Sequence, residues 1–229
     1  MNSDRKTAVI VGVLFILATL FSLASTSIIG PVIGAPDYLV KISSNENQVV
    51  VGVLLLLAAA VSIVLIPAMM FPVLRRHNEG IALGYFGFRV LEAETLVVDA
   101  ISLLLLLSLG QEYAKAGVPA ASYFQISGAL LLSAHDWIFP LNPIVFGLGA
   151  LMFYYLLYRS KLIPGWLSAW GFLGAALVLA FGLLGLFGNI LIYLALPIAV
   201  QEMVLAVWLI VKGFYPSAIV SESAKKSSQ

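Results

Sequence analysis

Apolar runs of about 18 residues or more recur along the chain, and no other feature restricts its fold so far. As a helix, a run of that length spans the hydrocarbon core of a bilayer. A transmembrane β-barrel would show short segments of alternating polarity, and none occur. Of the 229 residues, 62% are hydrophobic and 10% charged, whereas a soluble domain carries about 25% charged residues. The chain therefore reads as all-α, a polytopic transmembrane helical bundle over residues 1–214 that takes the lipid bilayer as its solvent. Residues 215–229, rich in Ser and holding Lys225 and Lys226, read as a disordered tail. The net charge of +1 names no partner. Without a basic patch interleaved with aromatics, nucleic-acid binding is excluded. With no cysteine there is no disulfide, thiolate metal site or catalytic thiol.

The first span is predicted over 7–29, too long an apolar core for a signal peptide. Thr19, Ser22 and Thr26 share one of its faces. A loop over 30–48 follows, with a turn at Pro36-Asp37 and a short interfacial helix over 37–42. Ser43 and Glu46 have the spacing of a capping box for the second span, 49–74, which Pro67 is expected to kink. The third span, 80–109, opens with Gly80 and Gly84 in a GxxxG spacing, and 110–119 reads as a polar loop. Glycines at 171, 174, 182 and 185 line one side of the fifth span, 163–187, in line with Gly188 of the turn that follows. The sixth covers 190–212, with Pro197 expected to leave the Tyr193 carbonyl without its donor.

Residues 120–161 admit two readings, because Pro140, Asn142 and Pro143 suggest a break. With one crossing, Arg5, Lys6, Arg75, Arg76, Arg159, Lys161, Lys212, Lys225 and Lys226 fall on one side, and only Lys41 and Lys115 on the other. Two crossings would scatter them. The positive-inside rule selects one crossing, with both termini cytoplasmic. The expected bundle thus has six spans plus a half-inserted or kinked helix at 123–139, with 144–158 completing the fourth crossing; seven spans are the alternative.

The third span is the anomalous one, for it holds Arg89, Glu92, Glu94 and Asp99. Hydrocarbon tolerates such groups only when they pair, face a bundle interior or line a wet cavity. On a helix with Arg89 at zero, Glu92 falls near about −60°, Asp99 near about −80° and Glu94 near about +140°. Arg89 and Glu92 form a self-neutralising i,i+3 pair. Glu94 needs another helix, a second subunit of a homo-oligomer, or a proton. Arg89 and Glu92 lie about 14 Å and 18 Å from Gly80, and Glu202 about 15 Å from Lys212. Arg89, Glu92, Gln201 and Glu202 are therefore the predicted ligand- or proton-binding site. His135 and Asp136 fall near the depth of Asp99 and form a second candidate group, able to relay protons.

Catalytic motifs are missing. Two histidines without HExxH or ExxH exclude a three-histidine zinc site, and no metal site is assigned. No GxSxG or SxxK anchors a nucleophile, and no Gly-rich phosphate loop or other motif names a cofactor. Tyr154, Tyr155, Tyr158 and Trp166 read as an interfacial aromatic belt.

Several stretches carry a likeness to a known family: Asn45 to Gln48, Glu79 to Tyr85, Arg89 with Glu92, Asp136-Trp137, Phe146 to Ala150, Leu162 to Pro164, Trp170-Gly171, and Gln201 to Met203 running on to Trp208 through Phe214. Over nearly its whole length the chain resembles the prokaryotic membrane proteins of domain of unknown function 4386. The resemblance implies a bacterial or archaeal cell (inner) membrane and no activity. The residues themselves leave three functions open. The first is binding or moving a small ligand, ion or proton. The second is an intramembrane enzyme using carboxylates and His135 as acid and base. The third is a structural or regulatory membrane partner.

Overall fold

The computed structural model describes residues 3–116 and 121–215. The tail proposed from residue 215 onward lies, beyond Tyr215, outside the described residues. Seven α-helices and one 3₁₀ turn (Ile192–Ala195) make up the described chain, with no strand among them. They are α1 (Ser3–Ile33), α2 (Tyr38–Ser44), α3 (Glu46–Leu74), α4 (Glu79–Ala116), α5 (Ala121–Ser160), α6 (Gly165–Gly185) and α7 (Leu196–Val211).

Five helical stretches are long and apolar enough to cross a membrane: Asp4–Ile33, Glu46–Leu74, Ser122–Ser160, Gly165–Gly185 and Ile192–Val211. The third expected span, α4, is not among them. At 38 residues it has ample length, but it is the least apolar of the long helices. Large side chains such as Leu20, Leu54, Leu83 and Leu173 are exposed along the helices. Water would penalise that surface and lipid does not. The protein is an integral membrane protein built of helices.

Several local expectations change. The break at Pro140 and Pro143 does not occur: α5 runs 40 residues with both prolines inside. Residues 110–116 continue α4 instead of forming a loop. The capping box does not form either. Asn45 closes α2 immediately before α3 begins at Glu46, and the Ser43 hydroxyl donates to the Val40 carbonyl within α2. Pro197 is not a mid-helix break but lies in the first turn of α7, where its missing N–H costs nothing. The Tyr193 carbonyl accepts from the Leu196 N–H, so it is not left without a donor.

The chain divides into two compact units. One comprises residues 1–17, 62–92 and 140–229; the other comprises 18–61 and 93–139. The core of the first is largely aliphatic around a group of stacked aromatic rings. The Tyr85 and Phe153 rings stack at 4.6 Å, and Phe153 meets Tyr154 edge-on at 5.1 Å. Gly171 lets the Tyr154 ring lie against α6, and Gly182 admits the Pro140 carbonyl to 2.8 Å from where a Cβ would stand. Arg5 of α1 closes this unit by donating to the carbonyls of Leu209 (2.8 Å), Ile210 (2.6 Å) and Val211 (3.1 Å) at the end of α7. A cation at the C-terminus of a helix answers both its orphan carbonyls and its dipole.

The second unit has an aliphatic core, including Ile42, Val49, Val53, Leu103 and Leu106. Here α2 packs on α4, the Leu39 carbonyl standing 2.8 Å from where a Cβ on Gly110 would be. α1 and α3 are tied by two side chains: Ser25 donates to the Gly52 carbonyl at 2.8 Å, and Gln48 to the Ile28 carbonyl at 2.8 Å.

Candidate functional site

In the first unit the i,i+3 spacing of Arg89 and Glu92 becomes a contact. Nη1 of Arg89 lies 3.0 Å from Oε2 of Glu92, with the side chains 5% and 7% exposed. The guanidinium also stands over the Phe146 ring, 5.4 Å from its centroid. Its Nε is buried and makes no hydrogen bond to any described residue. Asn142, from the proline-flanked stretch of α5, donates to the Glu92 carbonyl at 3.5 Å. Glu202 makes no ion pair with Arg89 but lies within its electrostatic reach, and acts on Tyr85 and Tyr154 as well. Two carboxylates thus stand in the field of one guanidinium.

Gln201 turns elsewhere. It is fully buried; its Oε1 accepts from the Tyr154 hydroxyl at 2.6 Å, and its Nε2 donates to the Leu167 carbonyl at 3.0 Å. This one amide fastens α7 to α5 and α6, with its oxygen and one amide hydrogen engaged by protein. Tyr154 therefore leaves the expected aromatic belt: it is wholly buried, whereas Tyr155, Tyr158 and Trp166 are exposed. What moves it inward is the ring-sized space over Gly171 and the reach of its hydroxyl to Gln201. The spacing of aromatics at a span end does not distinguish these two fates.

In the second unit Asp99 and His135 meet. Nδ1 of His135 lies 2.5 Å from Oδ1 of Asp99, with the side chains 28% and 12% exposed respectively. Asp136 is exposed and acts on His135 electrostatically. Glu94 is exposed on α4, close in sequence to exposed Leu91, Val97 and Val98. Asp99 and His135 border a cavity of about 60 Å³ that Ser25 and Thr26 also line. Ser25 was outside the expected hydroxyl face, yet it is the buried hydroxyl here; Thr26 donates back to the Ser22 carbonyl at 3.0 Å. Among the described residues, no three of His, Asp and Glu come close enough together to hold a metal ion.

The family described as "Domain of unknown function (DUF4386)" matches the chain over residues 10–213. No curated protein and no solved structure matches it.

Proposed function

For a chain that belongs to the DUF4386 family, we propose a function read from its buried charges: binding, and handing on, one proton or small monovalent cation at the Arg89, Glu92 and Glu202 cluster. The observation that carries this is an imbalance of charge. A guanidinium keeps its proton in a protein. Glu92 at 3.0 Å balances it. Glu202, within the field of the same guanidinium, brings a second negative charge that hydrocarbon does not tolerate unanswered. One added positive charge neutralises the set. On this reading α4 crosses the bilayer too, the chain makes six crossings, and the cluster of Lys and Arg near both termini lies on the cytoplasmic side of a prokaryotic cell membrane.

A purely structural role is the second reading, favoured by Gln201, whose amide ties α7 to α5 and α6. The experiment that separates them uses the full chain in liposomes with a pH-sensitive dye inside and an imposed potassium diffusion potential. Wild type is expected to admit protons faster than protein-free vesicles. Glu202→Gln is expected to lose that excess about tenfold or more while remaining monodisperse and equally heat-stable. A wild type no leakier than empty vesicles to protons and to sodium overturns the proposal. So does a Glu202→Gln variant that conducts as wild type, or one that loses folding and conduction together.

A further inference from the structure

The second unit holds a polar feature that owes nothing to Arg89. We infer that the cavity bordered by Asp99, His135, Ser25 and Thr26 is a binding site for a compact primary ammonium ion, of the size of methylammonium.

The argument starts with the hydroxyls. Ser25 gives its proton to the Gly52 carbonyl at 2.8 Å, and Thr26 gives its proton to the Ser22 carbonyl at 3.0 Å. What remains on each oxygen is lone pairs, so both can only accept from a ligand. Asp99 adds a carboxylate, and its Oδ1 is held by Nδ1 of His135. Ser25, Thr26 and Asp99, all among the residues that line the cavity, thus have acceptor oxygens to offer, with the His135 ring beside Asp99. A primary ammonium presents three donors and one positive charge. A hard metal cation asks for about six oxygens, and these residues do not supply them. The lining also includes apolar Ile33, Leu56 and Leu103, which accommodate a methyl group but solvate no ion. The size agrees. About 60 Å³ is several times the roughly 10–15 Å³ that one water needs, room for a ligand of a few heavy atoms. Thr26 is exposed whereas Ser25 and Asp99 are buried.

The test is direct titration of the purified full chain in detergent, by calorimetry and by thermal unfolding. The probes are methylammonium, sodium and tetramethylammonium chlorides at matched ionic strength. Methylammonium is expected to give a saturable heat and to raise the unfolding temperature, and the other two salts neither. Asp99→Asn is expected to abolish the effect. Thr26→Val, which deletes one acceptor to a charged donor at an exposed position, is expected to weaken binding by about tenfold. Glu202→Gln is expected to bind methylammonium as wild type, since its place is in the other cluster. Sodium or tetramethylammonium acting as well as methylammonium overturns the inference, as does a folded Thr26→Val that binds unchanged. If Asp99→Asn does not fold, the Thr26→Val result decides alone.

Discussion

Removing the carboxylate of Glu92 is the sharpest perturbation this bundle permits. At an effective dielectric of about 20, unit charges 3.0 Å apart attract by roughly 5–6 kcal/mol before desolvation is counted. Losing one partner of a buried pair typically costs about 3–5 kcal/mol, because the other charge is left uncompensated. Glu92→Gln should nevertheless fall at the lower end of that range, since Glu202 is within electrostatic reach of Arg89 and can serve as a reserve counter-charge. Glu202→Gln alone removes no contact ion pair and should cost less than about 1 kcal/mol. The double variant loses both the partner and the reserve. It should therefore be less stable than the two single losses predict, by about 1–2 kcal/mol, a coupling usual for charges in one network. The assay is reversible unfolding in mixed micelles, followed by circular dichroism, for the wild type and the three variants. Additivity to within about 0.5 kcal/mol would refute the shared cluster and leave Arg89–Glu92 as an isolated pair.

Two further outcomes follow from named contacts. Gln201→Leu leaves the Tyr154 hydroxyl buried without its 2.6 Å acceptor and should cost about 1–3 kcal/mol; adding Tyr154→Phe should restore part of that loss, measured in the same unfolding assay. Arg5→Ala uncovers three carbonyls at the end of α7 and should speed amide exchange in its last turn by about fivefold or more, as for the loss of about 1 kcal/mol of capping, with exchange in α3 unchanged.

How far the sequence reveals the molecule depends on the range of the force concerned. Helical periodicity is local, so the Arg89–Glu92 contact follows from spacing alone. The lengths of the apolar runs likewise announce α1, α3 and α6. Pro140 and Pro143 mislead because a helix tolerates proline in a membrane when neighbours take up the disturbed backbone, and nothing in the sequence says that α6 presents Gly182 to the Pro140 carbonyl. Pro197 misleads for a different reason: whether a proline opens a helix or kinks it depends on a boundary, here between Ala195 and Leu196. Gln201 sits beside Glu202 in the chain, yet its amide is committed to Tyr154 and Leu167, a choice made by side-chain direction on α7. The buried role of Ser25 could have been sought in the small residue Gly52 that faces it, but no spacing rule links the two.

The clasp of Arg5 on the end of α7 also bears on the order in which the molecule is made. Its acceptors lie 204 to 206 residues downstream. The unit formed by residues 18–61 and 93–139 is fully translated while the other unit still lacks α6 and α7. During synthesis from the amino end, Arg5 is therefore made long before the carbonyls that it holds. A chain truncated before residue 209 would leave Arg5 without the Leu209, Ile210 and Val211 carbonyls that it holds.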